Sequence, residues 1–191
     1  KGIRFKDCVD NNSEPLQTPR LTLHINNCTV YDCGTNSYTD NNGTIFSAAG
    51  IHFEGAGSIL NCHFNNNNIQ SSDENCSLYV QAGGVYICNN TASTTEVRFN
   101  TFTNNTGGLC GGLTAKGRGQ IRISDNEFSG NIEVGSCIVP NALNSNAMTV
   151  YDASNMLIRN NIIIDNTQEN AAIGLTTYTN QAASPIMFLN N

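Results

Sequence analysis

Two short motifs follow one another in residues 49–67, which read AGIHFEGAGSILNCHFNNN. The first is a pair of small residues followed by two apolar residues that flank a third residue, here residues 49–53. The second is a strand-like segment that ends in an asparagine bend, here residues 59–64 followed by Asn67. Side chains at positions i and i+2 of a β-strand point to the same face. Each motif therefore predicts a short strand with one buried face.

Both motifs recur along the chain at a roughly constant phase. The apolar anchors of the first motif, residues 21, 51, 85, 113, 148 and 186, are 30, 34, 28, 35 and 38 residues apart. Such a period is typical of a solenoid, in which each repeat stacks on the next. The clear copies of the first motif are residues 49–53, 83–87, 111–115 and 146–150, with weaker copies at 20–23 and 185–188, and the second motif recurs at 97–105, 123–131 and 158–166.

These repeats predict an all-β fold, a right-handed parallel β-helix of about six coils with uncapped ends. The handedness follows from the crossover rule for parallel strands. We expect residues 1–191 to form a single β-helix segment, one unit of a longer or stacked solenoid. The predicted strands of the first motif are residues 20–25, 50–53, 84–87, 112–115, 147–150 and 185–188.

Asparagine is the outlier of the composition, at 31 of 191 residues. One slot of the second motif holds Cys62, Asn100, Asn126 and Asn161, and in the earlier copies Cys28 and Cys8. Identical side chains stacked roughly 4.8 Å apart form amide ladders, and the amides then satisfy the backbone groups of the bend. We therefore expect an asparagine ladder in which cysteine fills the slot in some coils.

The paired motifs resemble a known repeat. The small-small-apolar segment followed by Phe-x-x-Asn, at residues 64–67, 102–105 and 128–131, is similar to the repeat of the polymorphic outer-membrane proteins. Those proteins are autotransporter passengers with a pectin-lyase-like β-helix fold. The resemblance covers about residues 48–166 and implies an adhesive surface passenger.

Composition narrows the partners and the compartment. The net charge is −6 and the nine Lys and Arg are scattered singly, so no basic stripe exists to bind nucleic acid. No apolar run is long enough for a membrane span. Eight cysteines without Cys-x-x-Cys pairs favour disulfides and an extracellular location, and we take the chain as a mature or excised piece. The disulfide candidates are Cys8, Cys28, Cys33, Cys62, Cys76, Cys88, Cys110 and Cys137.

Six Asn-x-Ser/Thr sequons raise the question of N-linked glycans. Chance alone gives about five in this composition, so the weight comes from the extracellular location argued from the cysteines. The best candidates are Asn42, Asn75 and Asn89, because they lie in loops or just after a strand. Asn11 and Asn104 follow them, and Asn27 is expected to be held in the bend ladder.

No constellation of catalytic residues stands out. Glycan-active enzymes need acidic groups close together on one face, but the acids at 73–74, 125–127 and 152 fall in different coils or loops. The glycine-rich segment 107–112 lacks the Lys-Ser/Thr of a phosphate loop and matches a corner of the repeat. The three histidines, His24, His52 and His63, are expected to be exposed. We expect no enzyme activity, no metal site and no cofactor. The outward slots of the first motif are Thr22, His52, Tyr86, Thr114, Thr149 and Met187.

The ends of the chain suggest how solenoids join. Joining residue 191 to residue 1 would place Ile186 and Ile3 eight residues apart, the step between the two motifs in the interior. An end-to-end junction would then bury Ile3, Phe5, Ile186 and Phe188. A heterologous contact of this kind builds a filament. We expect a non-catalytic extracellular fibre subunit whose partner is itself, as a homopolymer or as tandem repeats. The alternative is an adhesin or carbohydrate-binding passenger, and a polysaccharide-active enzyme comes third.

Overall fold

The structure is a computed structural model, and it describes residues 3–6, 22–36, 48–70, 82–134, 143–166, 171–177 and 186–191. Within these residues the regular structure is all β-strand. Some sequence predictions lie outside the described residues: those for Cys8, Cys76, Cys137, Asn11, Asn42 and Asn75, and for the acids at 73–74.

The strands are short, mostly of three to five residues, and are numbered in chain order. They are β1 (Ile3–Lys6), β2 (Thr22–Asn26), β3 (Thr29–Tyr31), β4 (Gly34–Asn36), β5 (Ile51–Glu54), β6 (Ala56–Leu60), β7 (His63–Asn65), β8 (Asn68–Gln70), β9 (Val85–Cys88), β10 (Thr95–Arg98), β11 (Thr101–Thr103), β12 (Thr106–Gly107), β13 (Leu113–Gly117), β14 (Ile121–Ser124), β15 (Glu127–Ser129), β16 (Ile132–Glu133), β17 (Ser145–Ala153), β18 (Met156–Arg159), β19 (Ile162–Ile164), β20 (Ala171–Thr177) and β21 (Ile186–Leu189).

Four parallel sheets collect these strands in turn. The first sheet has the order β1-β5-β9-β13-β17-β20 and the second β2-β6-β10-β14-β18-β21. The third is β3-β7-β11-β15-β19 and the fourth β4-β8-β12-β16. From β1 to β19 the chain visits the sheets in the same order, and we call one visit to each sheet a repeat; the next described strand after β19 is β20, in the first sheet. Stacked parallel sheets of this kind are consistent with a β-helix.

The register confirms the predicted phase in the middle of the chain. Ile51 pairs with Val85, Val85 with Leu113, and Leu113 with Met148, so four anchors of the first motif lie side by side in the first sheet. The small pair before each anchor is needed because backbones approach closely there. A Cβ on Gly112 would lie 2.3 Å from the carbonyl oxygen of Ala147 on the next strand, so no side chain fits at that position.

The core is a column of apolar side chains that point inward from the first three sheets. In the third sheet, Phe64, Phe102 and Phe128 stack in register, with ring centroids 4.9 and 4.6 Å apart. All three rings are completely buried. Burial of one such side chain stabilises the fold by roughly 1.5–3 kcal/mol. The column therefore holds the repeats together along the stacking axis.

Bends between the second, third and fourth sheets use a left-handed residue. Asn61 (φ 53°), Asn66 (φ 54°) and Asn104 (φ 53°) each precede a buried, inward-pointing residue: Cys62, Asn67 and Asn105 respectively. Asparagine and aspartate tolerate this conformation better than other non-glycine residues, which explains much of the asparagine excess. Phe99 (φ 58°) is the bulky exception.

The prediction was wrong at both ends of the chain. Residues 20–25 and 185–188 do contain strands, but β2 and β21 lie in the second sheet, beside β6 and β18. The first sheet instead begins with β1, which pairs with β5, and ends with β20, which pairs with β17. The apolar-x-apolar alternation occurs in strands of both the first and the second sheet. Without the preceding pair of small residues, it therefore does not show to which of the two sheets a strand belongs. Residues 171–175, Ala-Ala-Ile-Gly-Leu, carry that pair and were overlooked.

This correction removes the in-phase junction of Ile3 and Phe5 with Ile186 and Phe188. The eight-residue step leads from the first sheet to the second, whereas Ile186 lies in the second sheet and Ile3 in the first. Residue 191 therefore does not join residue 1 in phase.

Candidate functional site

Two ladders of inward-pointing polar side chains run along the bends. The first ladder contains Asn100, Asn126 and Asn161, as predicted, and also Asn191. Each backbone N–H and side-chain Nδ2 donates to the Oδ1 of the next asparagine; Asn100 does so to Asn126 at 3.0 and 2.9 Å. Each Nδ2 also donates to a carbonyl oxygen of the preceding repeat, as Asn100 does to Ile59 at 2.9 Å. These buried amides thus hydrogen-bond one another and the bend.

A second ladder lies five residues further along each repeat. It contains Asn67, Asn105, Asn131 and Asn166, and its hydrogen bonds follow the same pattern. Asn105, for example, donates to Asn131 through its backbone N–H at 3.1 Å and through Nδ2 at 3.0 Å. In each Phe-x-x-Asn segment of the sequence, the phenylalanine belongs to the stacked column of the third sheet and the asparagine, three residues later, belongs to this ladder.

Cysteines fill the ladder slots of the first repeats. Cys28 and Cys62 lie side by side in the first ladder, because the residues that follow them, Thr29 and His63, are register partners. Cys62 N–H donates to Asn100 Oδ1 at 2.9 Å. Cys33 begins the second ladder, with its N–H donating to Asn67 Oδ1 at 3.1 Å. The predicted slot for Cys28 and Cys62 is confirmed. The five described cysteines, Cys28, Cys33, Cys62, Cys88 and Cys110, form no disulfide with one another in the structure.

The outer face of the first sheet is buried, which the sequence did not reveal. His52, Tyr86, Thr114 and Thr149 form one row along it and are at most 5% exposed. The prediction that these slots face solvent was wrong for all four, and His52 is not an exposed histidine. Alternation identifies which side chains point away from the core, but it does not tell whether other parts of the chain cover that face.

His52 and Glu54 form a pair on this outer face. The His52 Nε2 and a Glu54 carboxylate oxygen are 2.8 Å apart, and the Tyr86 ring lies 4.9 Å from the imidazole. His52 Nδ1 is buried and has no hydrogen-bond partner among the described residues. If the imidazole is neutral, the Nε2–H donates to the carboxylate and Nδ1 is left as an acceptor. The sequence contained a signal for this pair, because a histidine and a glutamate two residues apart in a strand lie on the same face.

The next members of the row are also polar. Burial raises the pKa of the Tyr86 hydroxyl well above its ordinary value, with added effects from Cys88, Tyr151 and Glu54. Thr114 Oγ1 is buried and, in the part of the chain that the structure describes, has no hydrogen-bond partner. Two polar atoms of this face, Nδ1 of His52 and Oγ1 of Thr114, thus have no hydrogen-bond partner among the described residues.

The remaining candidates do not converge on a site. His24 and His63 are exposed, as predicted, and each bonds a hydroxyl on the next strand, Ser58 and Thr101, at 2.8 Å. Asp125 lies in a bend and Glu127 on the outer side of β15. Among the described residues, no group of three or more His, Cys, Asp or Glu could hold a metal ion.

The glycine-rich segment 107–112 lies where the chain passes from the fourth sheet to the first. It connects β12 to β13, and Cys110 within it bridges to Ala82 and Ser145 in parallel. A Cβ on Gly107 would lie 1.9 Å from the Cys110 carbonyl oxygen. The segment is thus a tight corner of the repeat.

The described sequons fall into two classes. Asn27 and Asn104 are exposed in left-handed bends, beside the ladder rather than in it. Asn89 is completely buried, and its Nδ2 donates to the carbonyl oxygens of Ser93 and Gln120 at 2.9 and 3.0 Å. A glycan is attached through that nitrogen, so Asn89 is a poor candidate and its place among the best three was wrong.

Comparison with protein-family models, with curated proteins and with solved structures found no match to this chain. The described residues contain no helix long and apolar enough to cross a membrane.

Proposed function

We propose that the four sheets form a right-handed parallel β-helix and that the protein is a non-catalytic structural rod of an extracellular fibre. The observation that carries the proposal is the pair of ladders, whose hydrogen bonds run in one direction. They extend from Cys62 to Asn191 in the first ladder and from Cys33 to Asn166 in the second. Such a column gains stability from each added repeat, as in other solenoids. It presents no convergent catalytic group along the ladders.

Axial growth is the next step of the proposal. The edge strands of the first two sheets are β1 and β2 at one end and β20 and β21 at the other. Edge strands carry backbone groups that pair readily with a further strand. Further coils, from a second copy of the chain, would continue both sheets in parallel. Each coil adds roughly 4.8 Å, or about 29 Å for six coils.

Substitutions at two residues of β21 can distinguish axial stacking from other forms of association. Phe188 is in register with the buried Ile158 and points into the core column, but it is 42% exposed at the last described strand. Its neighbour Met187 is 47% exposed and points away from the core, beside Leu157. Stacking of another coil would bury Phe188 and leave Met187 on the outer surface.

The test compares Phe188→Asp with its matched control Met187→Asp. We expect electron micrographs of the native protein to show filaments whose axial repeat is about 29 Å or a simple multiple of that length. Phe188→Asp should abolish filaments because a charge cannot be buried in the column, while Met187→Asp should leave them. A wild-type protein that stays monomeric by sedimentation, or two variants with equal behaviour, would overturn the proposal.

Extracellular location remains part of the proposal, with exposed Asn27 and Asn104 as described sites for N-linked glycans. The net charge of −6 would keep neighbouring rods apart. Peptide mass spectrometry after enzymatic deglycosylation tests this. Unmodified asparagine at every sequon of the native protein would count against glycans.

A second candidate function is carbohydrate binding, as in an adhesin or surface passenger. Two polar atoms on the outer face of the first sheet favour it, because His52 Nδ1 can accept a hydrogen bond and Thr114 Oγ1 can donate or accept one. Both residues are at most 5% exposed, so a ligand would reach these atoms only after the groups that bury them move aside. A ligand rich in hydroxyl groups matches the hydrogen-bonding capacity of both atoms. Carbohydrate binding can be tested by screening the protein on an array of neutral and acidic oligosaccharides, with Thr114→Val as the site variant and His63→Gln as the control. Equal binding by both variants, or no binding at all, would reject this function.

A further inference from the structure

Two cysteines occupy consecutive positions of the first ladder. Thr29 and His63 are register partners, and His63 N–H donates to the Cys28 carbonyl oxygen at 2.8 Å, so Cys28 and Cys62 lie side by side one residue earlier. Neighbouring parallel strands are roughly 4.8 Å apart. That separation falls within the usual Cα range of a disulfide, about 4.4–6.8 Å.

Both thiols are held by backbone carbonyl groups near the bend. Cys62 Sγ donates to Leu60 O at 3.1 Å and to Ile25 O at 3.9 Å, and Cys28 Sγ donates to Asn26 O at 3.4 Å. Cys62 is completely buried, whereas Cys28 is half-buried. Burial raises the pKa of the Cys62 thiol, although hydrogen bonds to the backbone of Cys28 and Leu60 oppose this effect in part. A small oxidant therefore reaches Cys28 first.

The cysteines give up hydrogen bonds that asparagine makes in the same slot. An amide oxygen at position 62 would accept the N–H of residue 28, as Asn100 Oδ1 accepts the N–H of Cys62 at 2.9 Å. A thiol sulfur is a weak acceptor, so the ladder is weakest between the first two repeats. A covalent bond at this point would replace the missing hydrogen bonds.

We propose that Cys28 and Cys62 form an inter-strand disulfide that links the first two repeats. With a small disulfide such as oxidised glutathione as the oxidant, the Cys28 thiolate attacks one sulfur and releases one glutathione thiolate. The Cys62 thiolate then attacks the Cys28 sulfur of the mixed disulfide and releases the second. Two protein S–H bonds are replaced by one S–S bond, and the two protons end on two glutathione thiols.

Peptide mapping of the native chain tests the pairing. Trypsin cannot separate the two cysteines, because no Lys or Arg lies between Arg20 and Arg98. Cleavage after Glu54 separates them, and cleavage after Tyr31 separates Cys28 from Cys33. After oxidation of the folded protein with glutathione disulfide, we expect one cross-linked peptide pair that contains Cys28 and Cys62. Reduction should separate the pair.

Two substitutions provide matched comparisons. Cys62→Asn restores the residue found at positions 100 and 126, so the chain should fold, lose the cross-link and show a Tm that no longer depends on oxidation. Cys33→Asn, in the other ladder, should keep the cross-link. Oxidation should raise the Tm of the wild type by roughly 5–15 °C.

The wild-type peptide map decides the proposal even if a variant fails to fold. Alkylation of both cysteines as free thiols after oxidation, or a bond from either one to a different cysteine, would overturn it. The inference rests on the ladder alone, so loss of filaments in the stacking test would not affect it.

Discussion

The bends and the outer face of the first sheet both bury polar side chains, but they do so in opposite ways. In the ladders the residues are alike, and each amide hydrogen-bonds an identical neighbour. On the outer face the row His52, Tyr86, Thr114 and Thr149 contains unlike residues, and two of its polar atoms have no partner among those described. Repetition satisfies polar groups at little cost, whereas an irregular buried row needs another source of hydrogen bonds.

This difference separates the ladders, whose hydrogen bonds are satisfied, from a buried row that has unmet hydrogen-bonding capacity among the described residues. A satisfied ladder has no free hydrogen-bonding capacity and can only stabilise the stack. A buried polar atom without a partner costs about 1–3 kcal/mol of free energy. The following substitutions test the contrast, beginning with the largest expected effect.

Asn126→Ala should break the first ladder at its centre. The side chain accepts from the N–H and Nδ2 of Asn100 and donates to Val97 O and Asn161 Oδ1, at 2.9–3.0 Å. The substitution leaves several of these buried groups unpaired, so we expect a loss of about 3–5 kcal/mol in the free energy of unfolding. Urea titration measures it, with exposed Asn65→Ala as a control that changes stability by less than about 0.5 kcal/mol. A loss below about 1 kcal/mol for Asn126→Ala would show that the ladder is not a main source of stability.

Two buried threonines should respond to valine with opposite signs. Thr114 Oγ1 has no described partner, so Thr114→Val should leave stability unchanged or raise it by about 1 kcal/mol. Thr95, equally buried, donates from Oγ1 to Gly55 O at 2.8 Å, and Thr95→Val should cost about 1 kcal/mol. Paired urea titrations without ligand measure both. Equal losses would mean that Thr114 has a partner in solution.

Two substitutions of Phe99 should differ from each other in stability. It holds the left-handed bend position that asparagine or aspartate takes in other repeats, which costs a bulky residue about 1 kcal/mol. The Arg98 guanidinium lies 4.8 Å from its ring, an exposed contact worth about 0.5–1 kcal/mol. Phe99→Ala loses that contact and keeps the strain, whereas Phe99→Asn also relieves the strain. We expect the asparagine variant to be about 1 kcal/mol more stable than the alanine variant in thermal and urea unfolding.

The sequence predicted the parts of the fold that local repetition controls. Gly84-Val85 and Gly112-Leu113 marked the first sheet correctly, because close approach of neighbouring backbones excludes side chains there. The slot shared by Cys62 and Asn100 was also found, since one residue type recurs where the bend needs an amide. At the ends, strand 22–26 was assigned to the wrong sheet because an apolar alternation by itself fits both sheets.

The outer-face site could not be predicted in the same way. Alternation places His52 and Tyr86 on the side away from the core, but their burial depends on what covers that side, which is a long-range property. The buried state of Asn89 has the same origin, because its hydrogen bond to Gln120 spans 31 residues. Sequence pattern therefore located the scaffold better than the candidate site.

Asp125 should show the smallest effect, through its charge. Partial burial raises the pKa of its carboxyl, but hydrogen bonds from Ser124 and Asn160 and the positive charges of Arg98 and Arg159 outweigh this, and the pKa lies below its ordinary value. A lowered pKa stabilises the folded state above the unfolded pKa of about 3.9, and this contribution is lost as the pH falls through the folded pKa. Asp125→Asn keeps a residue that tolerates the bend and removes only the charge.

The expected loss for Asp125→Asn is no more than about 0.5 kcal/mol at neutral pH, because the ion pair with Arg98 is partly exposed and spans 3.6 Å. Urea titrations at pH 7 and at about pH 3 should show the difference from wild type shrinking at the lower pH. Glu127→Gln removes the same charge two residues away, where the described residues give the carboxylate no ion pair. A deficit of Asp125→Asn that is equally large at both pH values, or is matched by Glu127→Gln, would mean that the bend geometry or the net charge accounts for it rather than this carboxylate.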